Sequence, residues 1–187
     1  MQNPAYFTEN QANGQNPLDQ METEKAAKII VDHVNNGLKL ANQYHLPKVV
    51  KDFIATHHGT GPTRYFYTIY KNEHPDQEPP KEAFYYPGPN PFSKETAILM
   101  MADTIEAASH SLTEYSESSI SDLVEKLIGR QIQEGAYKNV PITFQELEII
   151  KSVFKQKLKS IYHTRIAYPE EKKRAVRNTS DKRTNRK

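Results

Sequence analysis

Six consecutive apolar residues, Ala97-Ile98-Leu99-Met100-Met101-Ala102, are followed directly by Asp103, and this string constrains the fold more than any other in the chain. Ser93 and Thr96 precede it with the spacing of a helix N-cap and its partner, so the string belongs on a helix. A helix that is apolar nearly all round is stable only when other elements enclose it, which predicts a central position. An ionised carboxylate on such a helix is costly unless it lies at the solvent edge, is tied to Arg or a backbone N–H, or binds a metal. Asp103 is therefore either an edge or paired carboxylate, or a ligand.

The elements available to enclose that helix are themselves helical. From Met21 to about Tyr44, apolar residues recur at Ala26, Ile29, Ile30, Val34, Leu38 and Ala41, a stripe about one face wide. Pro47 suits the first turn of a second helix through Val49, Val50, Phe53 and Ile54, which ends at His57-His58 before Gly59-Thr60-Gly61-Pro62. Two amphipathic helices follow at about 118–134 and 143–162, the second opened by a Thr143/Glu146 capping-box pattern. Between Gly59 and Phe92 there are seven prolines and paired aromatic groups without a lasting period, which predicts one long Pro/aromatic loop. No strand pattern holds, although Tyr65–Tyr70 reads as a segment able to pair locally. The fold class expected is all-α, in one domain.

Composition excludes several functions. There is no cysteine, so disulfides, thiolate zinc sites and cysteine nucleophiles are absent together, and any metal must use His and carboxylate. The formal net charge of +2 arises in residues 170–187, where eight Lys/Arg face three Asp/Glu without an apolar period. That segment reads as a solvated, disordered basic tail rather than a nucleic-acid surface, and no nucleic-acid polymer is expected as a partner. Residues 1–20, rich in Asn, Gln and Pro, read as a loop. The longest apolar run is far short of the ~20 residues that span a bilayer, and the amino terminus has no signal-peptide pattern, so a cytoplasmic location without membrane contact by this chain is expected.

Against that background the histidines matter. His33 lies beside the first stripe, and an adjacent pair, His57-His58, sits at a helix end. With Asp103 they offer imidazole and carboxylate donors suited to Fe, Mn or Zn. His45, His74, His110 and His163 are isolated and are read as structural. In the aromatic segment, Tyr65, Tyr67 and Tyr86 present faces that can stack on a base, or equally serve as a hydrophobic clasp. Lys94, at a helix start, is placed to meet a phosphate or to be solvated.

The order His33, His57-His58, Asp103, with steps of 24 and 45 residues, resembles the later half of the HD-domain pattern H…HD…H…HH…D. The strings HVNNGLKLANQYHLPKVVKDFIATHHGT, FYYPGPNPFSKETAILMMADTIEAASHSL and HTRIAYP resemble the cytoplasmic HD domain of the seven-transmembrane-helix cyclic di-AMP phosphodiesterases, from about Asn3 to Pro169. The resemblance implies an HD-domain helical bundle over 1–169, with His33, His57, His58 and Asp103 as metal ligands. It also implies two divalent ions, Fe or Mn, a cyclic dinucleotide substrate, pApA as product, and a membrane-anchored parent. One departure stands out: the family's first histidine and its His-Asp pair have no counterpart, since no His-Asp dipeptide occurs in the chain. We therefore expect a domain truncated at its amino terminus and impaired in hydrolysis, with an exposed apolar face through which copies self-associate. The alternatives are a non-catalytic nucleotide-binding remnant or an HD nucleotidase.

Overall fold

The computed structural model describes residues 17–163; the expected amino-terminal loop before Pro17 and the basic tail lie outside them. After a 3-10 turn at Pro17–Gln20 come α1 (Thr23–Gln43), α2 (Lys48–Thr56), α3 (Arg64–Glu73), α4 (Lys81–Phe84), α5 (Lys94–Ser109), α6 (Glu117–Gln133) and α7 (Phe144–His163). No strand occurs among the described residues, in keeping with the all-α expectation; Pro62 and Tyr85 form one isolated antiparallel bridge.

Two buried clusters organise these helices. The larger is built by α5, α6 and α7, where Ile120, Val124, Leu127 and Ile128 follow helical spacing and meet Met101, Ile105, Leu147 and Leu158. The smaller holds Leu18, Ala26, Ala27, Phe66, Ala83 and Phe84; the alanines of α1 leave room for the Phe84 ring, which is fully buried. Helix α2 packs against both α1 and α5 and so bridges the two halves. The capping signals behave as their chemistry requires. Ser93 accepts from the Thr96 N–H while its own N–H donates to Thr96 Oγ1, and the Thr143 N–H donates to Glu146 Oε2 at 2.9 Å.

Two expectations need correction. The segment 59–92 is not one loop, because Arg64–Glu73 is helical and Lys81–Phe84 adds a further turn. Phe66, Tyr67 and Tyr70 form the inward stripe of α3, and its period is hidden by the aromatics that occupy outward positions as well. Tyr65–Tyr70 is thus helix, and the local pairing falls beside it, where the Thr63 N–H donates to the Phe84 carbonyl at 2.7 Å and the Tyr86 N–H to the Gly61 carbonyl at 3.0 Å. The second correction concerns α5, which is central but not enclosed all round. Ala97, Met100, Met101 and Ile105 are buried, whereas Ile98 and Leu99 remain more than a third exposed. Asp103, one turn beyond Leu99, shares that open face, and its side chain is 38% exposed. No helix among the described residues is long and apolar enough to cross a membrane.

Candidate metal centre

The centre forms where α1, α2 and α5 approach. Gly59 adopts a positive φ of 58° that stops α2 just after the histidine pair, and a Cβ there would lie 2.5 Å from Asn90 Oδ1. That Asn90 oxygen accepts from the Thr60 N–H at 2.9 Å and from the Thr60 hydroxyl at 3.0 Å, which fixes the chain beyond His58 to the proline-rich string. A second glycine sets the helix spacing. At Gly37 a Cβ would meet Ile54 Cγ2 at 3.0 Å, so the glycine leaves room for α2 against α1 one turn from His33 and one turn from His57.

This approach brings the imidazoles together. His33 Nε2 and His57 Nε2 are 3.0 Å apart, and one potential donor atom from each of His33, His57 and His58 lies within 4.8 Å of the others. Each of the first two rings is oriented through its other nitrogen. His57 Nδ1 lies 2.8 Å from the Ile54 carbonyl, and His33 Nδ1 makes a short contact to the Ile30 carbonyl, so both Nδ1 atoms act as donors. With both Nδ1 atoms donating, the two Nε2 atoms face each other across a gap that a shared proton or cation can bridge. Burial pushes the His57 imidazole below its usual pKa, and burial together with the neighbouring His57 and His33 holds His58 down at about 2. Burial thus favours the neutral form of His57 and His58, the form in which histidine binds a divalent ion, and the residues fit one.

Asp103 joins through His58, whose Nδ1 lies 3.3 Å from Asp103 Oδ2. Tyr86 covers the cluster, stacked on His58 with centroids 4.2 Å apart and edge-on to His33 at 5.9 Å. Burial pushes the Tyr86 phenol up to about 12, so it stays protonated. Its ring face is taken by an imidazole, which makes it first a wall of the metal centre. Tyr67 lines a cavity of about 340 Å³ beside the centre with Tyr85, the rings meeting edge to face.

Two sequence-derived substrate residues are not brought there. Tyr65 is 64% exposed, because it lies off the α3 face that carries Arg64 and Tyr67. Lys94 pairs with Glu146 of α7, nine residues and thus roughly 13 Å along α5 from Asp103. Of the isolated histidines, His74 packs on Tyr70 and His110 pairs with Glu106, both outside the cluster. Residues that sequence reading missed are Gly37, Tyr85, Asn90, Arg64, Arg130 and Glu134. None of them carried a local signal; Arg64 and Tyr67 share a face only of the helix Arg64–Glu73, which the sequence does not announce.

No family model matches the chain. The chain is 38% identical over 171 residues to the cyclic-di-AMP phosphodiesterase PgpH of Bacillus subtilis, a match that takes in 91% of this chain and 24% of that protein. PgpH of Listeria monocytogenes is 38% identical over 170 residues, 90% of this chain and 23% of that protein. The chain thus spans about a quarter of the length of these relatives. Among solved structures, the L. monocytogenes PgpH HD domain in complex with cyclic-di-AMP superposes with a TM-score of 0.79 at 34% identity, covering 85% of this chain and 73% of that one. The same domain without the nucleotide gives 0.77.

Proposed function

We infer the function from one premise: the chain belongs to the family of HD domains found in the PgpH cyclic-di-AMP phosphodiesterases. We propose that it is a metal-dependent phosphohydrolase domain that binds cyclic di-AMP and, within an intact site, opens it to pApA. The observation that carries the proposal is the convergence of His33, His57 and His58, with donor atoms within 4.8 Å, beside the carboxylate of Asp103. These four residues would hold the metal, and Fe or Mn suits such donors. When bound, a divalent ion supplies Lewis acidity toward a phosphoryl oxygen and lowers the pKa of the attacking water.

The chain's own residues supply the rest. Ile30 and Ile54 fix the imidazole tautomers through their carbonyls, and Tyr86 shields the cluster from bulk water on one side. Tyr67 and Tyr85 offer an edge and a face to an adenine in the neighbouring cavity. The overall change is addition of water oxygen to phosphorus and cleavage of the P–O3′ bond, leaving a 5′-phosphate and a protonated 3′-hydroxyl.

A binding role with little turnover is the second reading. It is favoured because the described residues gather one compact histidine group, which suits one ion rather than the pair used in two-metal hydrolysis. The test is chromatography of cyclic di-AMP incubated with the Mn²⁺-loaded chain. We expect saturable, metal-dependent binding and slow or no release of pApA. Metal-independent binding, or products other than pApA, would overturn the assignment, and rapid turnover would overturn the single-ion reading.

A further inference from the structure

We propose that Arg130, with Arg64 and Thr104, forms a second anion site beside the histidine cluster, which holds the phosphodiester of the dinucleotide that is not placed at the metal. This deepens the phosphohydrolase reading and rests on it for the identity of the ligand. A narrow cleft of about 90 Å³ is lined by His58 and Tyr86 of the histidine centre together with Arg64, Thr104, Arg130 and Glu134. It runs into the larger cavity lined by Tyr67 and Tyr85, since Arg64, Met100 and Glu134 border both. A ligand in that cavity with one phosphate at the histidines therefore passes the guanidinium groups.

Three observations point to an anion. First, Arg130 Nε is buried and has no hydrogen-bond partner among the described residues, a costly condition that a phosphate oxygen would relieve. Second, Glu134 pairs with Arg64 and not with Arg130, so among the described residues the Arg130 guanidinium stands in no ion pair. Third, the polar groups around Arg130 are already arranged. Gln131, 5% exposed, accepts from the Tyr137 hydroxyl at 2.6 Å and donates to Thr104 Oγ1 at 2.9 Å, leaving the Thr104 proton for another acceptor. The guanidinium fork suits two oxygens of one phosphate, whereas an ammonium would offer a point charge only. Glu134 competes with the ligand for Arg64, so phosphate entry exchanges one ion pair for another.

The experiment is calorimetric titration of the chain and its variants with cyclic di-AMP, with Mn²⁺ and again in EDTA. For the wild type we expect binding that weakens in EDTA but persists. Arg130→Gln should weaken binding about tenfold or more in both conditions, the scale of one lost charged hydrogen bond, while Mn²⁺ affinity stays unchanged. Arg64→Gln, at a partly exposed position, should also weaken binding, and Glu134→Gln should tighten it a few-fold, a gain that a purely structural role does not give. If Arg130→Gln and Arg64→Gln bind as the wild type does, the anion site is refuted while metal-dependent binding keeps the phosphohydrolase reading intact. If the wild type binds equally with and without Mn²⁺ yet loses binding on Arg130→Gln, the anion site stands and the metal reading fails. Absence of wild-type binding in both conditions would overturn both.

Discussion

The half of the molecule built by α5–α7 and the half built by α1–α4 are held together differently. In the first, aliphatic side chains such as Ile120, Val124 and Ile128 are fully buried, and a buried hydroxyl finds its partner in the 2.8 Å contact of Ser109 with Tyr162. In the second, the core is a small group of Leu18, alanines and aromatics, and α2 buries only Thr56 fully. The clustered histidines, His33, His57 and His58, are all on the second half, at a helix end and on a helix flank, while the first contributes Asp103. The difference teaches that the large core stabilises the fold, and the lightly packed half is free to spend its side chains on ligands.

The contrast can be broken from either side. Ile128→Ala should destabilise the chain by about 2–5 kcal/mol through the cavity it leaves, and the folded fraction should bind Mn²⁺ as before; calorimetric melting with parallel metal titration checks both. His57→Ala should do the reverse. We expect Mn²⁺ affinity to fall by about a hundredfold or more, beyond the typical loss for an outer-shell partner, with the metal-free melting temperature unchanged or raised because a buried, poorly solvated imidazole is gone.

Acid gives an intermediate effect. Burial and the neighbouring imidazoles depress His58 in the folded state, so below the unfolded histidine pKa the unfolded chain takes up a proton that the folded chain does not. Stability is therefore complete above about pH 6.5 and falls as pH drops toward the folded value, by about 2 kcal/mol between pH 7 and pH 5 for this one group. Urea titration of the metal-free chain should show that slope, and His58→Gln should flatten it.

The smallest effect comes from Gly37→Ala. Helix propensity alone favours the alanine by roughly 1 kcal/mol, but contact with Ile54 separates α1 from α2. Metal affinity should fall several-fold while helicity by circular dichroism holds or rises. Unchanged affinity would show that the glycine does not set the spacing of His33 and His57.

These cases also mark what was legible beforehand. The His57-His58 pair was readable because Gly59 ends its helix, and the capping residues Ser93 and Thr143 announced α5 and α7 through chemistry local to a few positions. Helix α3 was not readable, since Tyr65, Phe66, Tyr67 and Tyr70 put aromatics on inward and outward positions alike. Long-range partners were invisible too. Nothing near Lys94 in sequence announces Glu146, 52 residues away, and nothing near Arg64 announces Glu134. The apolar string before Asp103 predicted an enclosed helix and left Asp103 at an edge, paired or a ligand; the helix is open on one side, which Leu99 and Asp103 share.

The most direct test of the central claim is X-ray absorption spectroscopy of the Mn²⁺- or Fe²⁺-loaded chain, compared with the His33→Ala/His57→Ala/His58→Ala triple variant. The account predicts stoichiometric metal with histidine nitrogen scattering from three imidazoles, lost together with the bound metal in the variant. A chain that takes up no metal, or a triple variant that keeps the same coordination, would contradict it.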